Sequence, residues 1–162
     1  MSLAYVFWHW PAANADRDAY EAVARRFHAA LGRPGTATFR LGRAPFDSGE
    51  PPYEDWYPVA DWAAVGELND YAVTGDRKPP HDEIADASRK GAGAIFRRLG
   101  DGPPLHEVRF AAWTPARPER LENVWQRQLV LGPAPEYAVL AASPVDVPEG
   151  AILTAPVLIA RS

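Results

Sequence analysis

The chain of 162 residues contains no cysteine. That removes disulfides, thiolate catalysis and cysteine-ligated metal together, and it fits a reducing compartment. Long apolar runs are missing as well: no stretch approaches the ~18 consecutive apolar residues of a membrane span. The N-terminus carries no basic segment followed by an apolar stretch and a cleavage site, so no signal peptide is expected. Positive charge is scarce. Seventeen Lys and Arg stand against 21 Asp and Glu, a net charge of −4, whereas phosphate backbones are gripped by a concentrated basic face. The basic pairs Arg25–Arg26 and Arg97–Arg98 fall in helical patterns and read as solvated surface. No nucleic-acid partner and no membrane partner are expected, and the plain location is cytoplasmic.

What is plentiful is aromatic surface, with six Trp, six Tyr and six Phe. Such rings fill cores and subunit interfaces, and they also stack on ligands. They are densest in Ala4-Tyr5-Val6-Phe7-Trp8-His9-Trp10, closed by Pro11. In a strand successive side chains point to opposite faces. Leu3, Tyr5, Phe7 and His9 then share one face, and Ala4, Val6, Trp8 and Trp10 the other. Both faces are bulky, so this reads as a central strand covered on both sides.

Asn14 or Asp16 can cap the helix that follows, whose apolar stripe is Tyr20, Val23, Ala24, Phe27, Ala30 and Leu31, with Gly32 as its stop. Residues 36–41 alternate as a strand, Ala37, Phe39 and Leu41 against Thr36, Thr38 and Arg40. Residues 46–54 form an acidic loop. The strand at 55–60 contains Pro58, which demotes it to an edge or marks a bulge. Asp61 caps a short helix with Ala64, Val65, Leu68, Tyr71 and Ala72 inward. A second long helix is expected over 81–99, where Gly91 and Gly93 would let a neighbour approach closely. Strands follow at 105–113, 126–131 and 137–141, with a short helix at 118–124 and a loop at 144–150. The apolar tail 151–160 reads as a strand bent at Pro156.

Leu41-Gly42-Arg43-Ala44-Pro45 recurs as Leu131-Gly132-Pro133-Ala134-Pro135. The order strand, helix, strand, strand, helix occurs once in full and once shortened. This gives a single α+β domain over 1–162 made of two fused halves, 1–104 and 105–162. Its antiparallel β-sheets carry helices on one face. In element order the chain resembles the dimeric α/β-barrel superfamily, whose ferredoxin-like (βαββα) sheets pack face to face between subunits or fused halves. The second half here is abbreviated. That resemblance implies a homodimer or a fused barrel that binds small organic molecules or haem. The functions it implies include cofactor-independent oxygenases, lactone isomerases and haem enzymes.

The residues offer one place to look. His9 can act as a general base facing a cavity; a strand-end histidine bonded to a carbonyl or water is the plain alternative. Trp8, Trp10 and Tyr57 would line a ligand pocket, with Arg40 or Arg109 orienting an anionic group or pairing with an acid such as Asp55. Asp55 and Gln128 are further polar groups within reach of that pocket. His81 reads as a helix-start residue, and His28 and His106 as surface. No two histidines have metal-binding spacing, so no metal is expected. No nucleophile elbow or phosphate loop is present, and no cofactor is expected. The expected function is binding or transforming a small organic molecule in an aromatic pocket near the first strand. The alternatives are a non-catalytic homodimeric interaction protein whose aromatics form the interface, and a haem protein using His9 or His81. Whether the chain is an enzyme stays open.

Overall fold

The computed structural model describes residues 2–46, 49–130 and 132–162. β1 (Leu3–Pro11) is followed by α1 (Arg17–Leu31), β2 (Ala37–Arg40), β3 (Tyr53–Val59), α2 (Trp62–Ala72), α3 (Lys78–Asp86) and β4 (Ser88–Arg98). Then come β5 (Phe110–Thr114), β6 (Val124–Val130), β7 (Tyr137–Ala141), β8 (Ile152–Leu153) and β9 (Val157–Arg161). The nine strands form one antiparallel sheet in the order β8-β5-β7-β6-β4-β1-β3-β2-β9, with β1 between β3 and β4 as its two-faced pattern requires.

The sheet curls until its edges meet. Residues 154–156 alone separate β8, which pairs with β5, from β9, which pairs with β2. Thr154 ties the seam, its N–H donating to Ala111 O at 3.1 Å and its carbonyl accepting from Gly42 N–H at 2.7 Å. Pro156 is tolerated because it stands in the gap between β8 and β9, where no ladder bond is needed.

Within 3–98 the four strands stand in the order β4-β1-β3-β2, and within 110–153 the corresponding strands stand as β8-β5-β7-β6. The second set has loops where the first has helices. The two recurring segments follow β2 and β6, the second strand of each set, and Ala44 and Ala134 enter the same buried core. Leu131 lies outside the described residues.

That core is the inside of the curl. Trp8, Trp10, Trp56, Trp113 and Trp125 fill it, spaced by Ala4, Ala94, Ala111 and Ala138. Trp8 meets Trp113, and Trp56 meets Trp125, each with ring centroids 5.3 Å apart and tilted edges. Such edge-to-face pairs are favoured over flat sandwiches.

Several expectations are corrected. β3 is an interior strand, because its ladder with β2 ends at Trp56, before Pro58 is reached. The long helix over 81–99 does not exist: α3 stops at Asp86 and residues 88–98 are strand. The period there is two, with Ala92, Ala94 and Phe96 entering the core. The close approach that the glycines permit is real but belongs to a sheet. A Cβ on Gly91 would lie 2.5 Å from Phe7 Cζ, and one on Gly93 3.2 Å from Tyr5 Cε2. The rings of β1 lie over glycines on the adjacent strand. Residues 118–123 hold bends and a turn and not a helix, Val124 opens β6, and 105–109 hold a single 3-10 turn (Leu105–Glu107) before β5. Tyr71, expected to face inward, is exposed, and of α2 only Leu68 is fully buried.

Closure also traps a charge. Glu54 is 1% exposed on the inner face, accepting from Trp8 Nε1 at 2.6 Å and Trp56 Nε1 at 2.7 Å. Burial pushes its carboxyl up to about 7, and the two indole donors only partly offset this. The folded state therefore holds this proton more tightly than the unfolded chain does. The site's contribution is fully present below the unfolded value near 4.5 and is lost as pH rises through about 7. Between pH 5 and pH 8 this one group should remove about 2–3 kcal/mol of stability. Urea denaturation of wild type and Glu54→Gln at the two pH values should show their stability gap changing by that amount in favour of the variant at pH 8; a pH-independent gap would refute the assignment.

Candidate functional site

The outer face of β1–β4 is covered by helices. Asp16 starts α1, its carboxylate accepting from Asp18 N and Ala19 N at 2.8 and 3.1 Å, and Gly32 ends it in the left-handed region at φ 56°. α1 crosses β2 and β3, laying His28 flat against Tyr57 with centroids 5.8 Å apart. α3 packs beside α1, with Phe27 against His81 and Arg26 paired to Glu83. α2 stands off the sheet. Between α2, α3 and the β1/β4 surface lies a cleft of about 890 Å³.

Tyr5, Phe7, Gly91, Tyr57 and Ile95 belong to the sheet side of this cleft, and Trp62, Val65, Gly66 and Leu68 to α2. Half-buried Ser88 and, at one end, His9 and Asp55 supply polar groups. The cationic side chains on the wall are engaged. Arg89 pairs with Glu50 and bonds Pro11 O at 3.1 Å, and Lys90 Nζ sits 4.3 Å from the Trp10 ring centre.

A line of polar groups runs behind the cleft. Thr38 Oγ1 donates to Asp55 Oδ1 at 2.5 Å, so its neighbour His28 Nε2, 2.7 Å away, must donate to Thr38. Burial pushes His28 down, which suits that neutral tautomer. Tyr57 Oη donates to Asp55 Oδ2 at 2.8 Å. Burial alone would raise the Asp55 carboxyl, but the charge of nearby His9 and the Thr38 hydrogen bond outweigh it and hold Asp55 below the ordinary carboxylate value. His9 Nε2 lies 3.4 Å from Asp55 Oδ2, yet the alignment gives no hydrogen bond and Nε2 is buried without another partner. His9 Nδ1 makes a short contact with Tyr20 Oη. Tyr20 Oη in turn lies 2.7 Å from Ser88 Oγ, which donates to Ile84 O at 2.7 Å. Burial holds the Tyr20 and Tyr57 phenols well above their ordinary value and Tyr5 at about 12. All three are donors at neutral pH.

The structure brings together only part of the expected set. His9, Tyr57 and Asp55 meet at the cleft. Trp8 and Trp10 point the other way, fully packed inside the curl, where they neither line the cleft nor reach an interface. Arg40 pairs with Glu21 at 2.6 Å, the structural role of a mid-strand arginine. Arg109 is exposed, bonding the His106 and Val108 carbonyls, and Gln128 is exposed on β6. His28, expected on the surface, is buried. His81 lines the cleft with Nδ1 3.2 Å from Asp82 Oδ1. Among the described residues no three His, Asp or Glu side chains are grouped to hold a metal.

Sequence reasoning missed Tyr20, read as part of the apolar stripe of α1, and Ser88, which fell inside the expected helix over 81–99. One signal was available. Tyr53, Asp55 and Tyr57 alternate on one face of a strand, and an acid between two tyrosines on a covered face demands polar partners from elsewhere. No family model matches the chain, and no curated protein or solved structure matches it either.

The floor of the cleft depends on Gly91. Gly91→Ala must displace the Phe7 ring into the cleft and should cost about 1–3 kcal/mol. Gly42→Ala, whose Cβ would meet its neighbours at an ordinary 3.5 Å, should stay within about 1 kcal/mol of wild type. Chemical denaturation of the two variants checks this, and equal costs would refute the ring-over-glycine account.

Proposed function

We propose that this protein binds a small, uncharged, ring-bearing organic molecule in the cleft and moves a proton from it to His9. The observation that carries the reading is the meeting of an aromatic cleft with a buried histidine whose Nε2 has no hydrogen-bond partner and faces an ionised carboxylate. Histidine backed by a carboxylate is a standard general-base arrangement. The ligand is uncharged because the wall's cations are already paired or stacked and Asp55 opposes an anion.

The strand order β4-β1-β3-β2 and its repeat as β8-β5-β7-β6 favour reading the barrel as two fused ferredoxin-like halves, the second without helices. A ligand site between sheet and helices of the complete half fits that reading. Haem binding through His9 is disfavoured, since Nδ1 faces Tyr20 and Nε2 faces Asp55. An interface built on Trp8 and Trp10 is disfavoured by their burial inside the curl.

Gly66 gives a test that spares the fold. It lies inside α2, where glycine costs up to about 1 kcal/mol against alanine. It lines the cleft, and a Cβ there would meet nothing within 4 Å. Neither packing nor backbone conformation calls for glycine, so room for a ligand is what it supplies. Gly66→Leu should melt no lower than wild type while weakening binding of 2-methoxynaphthalene, followed by its fluorescence, by about tenfold or more. Absence of saturable binding to the wild type, or equal binding by the variant, would overturn the cleft as a ligand site.

A further inference from the structure

Proton transfer from a ligand in the cleft to His9 meets a geometric obstacle. The His9 side chain is 3% exposed, and Nε2, the nitrogen nearest Asp55, is sealed. A molecule in the cleft cannot touch either nitrogen without displacing protein. Nδ1 is covered by Tyr20, which is itself buried and absent from the cleft wall. Beyond Tyr20, however, stands Ser88, and Ser88 does line the cleft.

We infer that Ser88 and Tyr20 form a proton relay connecting the cleft to His9, with Ser88 as the residue that touches the ligand; the relay rests on the cleft being the ligand site proposed above. Three hydroxyl or imidazole groups in sequence, each within hydrogen-bond distance of the next, are what such a relay requires, and the order Ser88–Tyr20–His9–Asp55 supplies them. The accepting state has the His9 proton on Nε2, the nitrogen nearest Asp55, and Nδ1 open to the Tyr20 hydroxyl. A ligand O–H placed against Ser88 Oγ breaks, and its proton joins Ser88. The original Ser88 proton leaves its bond to Ile84 O and passes to Tyr20 Oη. The Tyr20 proton passes to His9 Nδ1. One O–H bond of the ligand is lost and one N–H bond of His9 is gained; Ser88 and Tyr20 end as they began. The ligand oxyanion remains hydrogen-bonded to Ser88, and the new imidazolium lies beside the Asp55 carboxylate.

The surroundings suit transmission and not storage. Tyr20 is buried and its phenol resists ionisation, so it hands on a proton in concert with its neighbours. Thr38 and Tyr57 donate to the two Asp55 oxygens, which keeps the carboxylate in place as the imidazolium forms. Ser88 owes its position to the end of α3: its hydroxyl bonds the carbonyl of Ile84 four residues back, and the chain then leaves as β4. Tyr20 and Ser88 come from α1 and from the start of β4, 68 residues apart, and meet because α1 and α3 pack side by side.

The test uses two probes of one shape. 2-Naphthol carries an acidic O–H and its anion absorbs to the red of the neutral form; 2-methoxynaphthalene has no such proton. Wild type should bind both and show an ionised fraction of bound naphthol at pH 7 well above that of free naphthol. Tyr20→Phe, which does not reach the cleft wall, should bind 2-methoxynaphthalene within about twofold of wild type while the ionised naphthol fraction falls by about tenfold or more, and in Ser88→Ala the ionised fraction of the naphthol that is bound should fall likewise. Circular dichroism and thermal melts of each variant identify any that fail to fold. Ser88→Thr, which keeps the hydroxyl, should restore ionisation. Unchanged naphthol ionisation in a folded Tyr20→Phe overturns the relay and leaves the cleft reading standing. No 2-methoxynaphthalene binding to wild type overturns the cleft reading itself. Binding of both probes without ionised naphthol in wild type overturns proton transfer to His9.

Discussion

The curl of the sheet is held at Thr154, whose backbone bonds Ala111 of β5 on one side and Gly42, just past β2, on the other. A flat sheet with helices on one side would leave its other side wet, and the tryptophans of β1, β3, β5 and β6 would need another cover. Curling supplies the cover from the sheet itself. The consequence is that both faces of β1 and β3 are covered, one by the curl and the other by helices and the cleft. Two consecutive acids, Glu54 and Asp55, are therefore both buried, on opposite sides of one strand, and burying an unpaired charge is expensive. The protein meets that cost in two different ways. Inside, Glu54 receives two indole N–H donors and is held close to protonation at neutral pH. Outside, Asp55 receives two hydroxyls and a histidine and stays ionised. The difference in partners sets the difference in charge.

The cleft follows from a second geometric choice. β4 presents Gly91 and Gly93 to the outer face, so Phe7 and Tyr5 lie down over the strand instead of standing up. A low floor leaves space above it. α2 does not fill that space: it buries only Leu68 fully and leaves Trp62 half exposed at 49%. Helix propensity would favour alanine at Gly66, and packing would allow it. Room is kept on both walls, against local preference.

Much of this was legible in the chain. The two-faced pattern of β1, the caps at Asp16 and Asp61, the stop at Gly32 and the bend at Pro156 are local signals, and each is where local chemistry puts it. The recurring segments at 41–45 and 131–135 follow β2 and β6. Three things were not legible, each for a physical reason. Small residues at 88–99 fit a helical stripe as well as an alternating strand, and only the rings of β1 lying over the glycines decide between them. Pro58 is harmless inside the sheet because β2 happens to be short. Which face of β1 meets the core and which meets a cleft depends on closure, so Trp8 and Trp10 could not be told from Phe7 and Tyr5 as pocket residues. Arg40 was legible as a paired mid-strand cation, but Glu21 on α1 was not identifiable as its partner. The site's own members, Tyr20 and Ser88, carry no motif, since their role exists only in the contact between α1 and the end of α3.

That contact explains why the polar thread can be both buried and ordered. From His28 through Thr38, Asp55, His9 and Tyr20 to Ser88 it visits α1, β2, β3, β1, α1 again and β4. No single element could hold such a line in register, but strands fixed by ladder pairing and a helix capped at both ends can. Thr38 accepts from His28 and donates to Asp55, and turning the Ser88 hydroxyl from Ile84 O to Tyr20 Oη would complete the line from the cleft to His9. The one loose joint is between His9 Nε2 and Asp55 Oδ2 at 3.4 Å. A hydrogen bond closed there would fix His9 in one state. Left open beside a carboxylate held by two other donors, it leaves the imidazole a gain in attraction to be had when a second proton arrives, and that gain is the driving force a buried base needs.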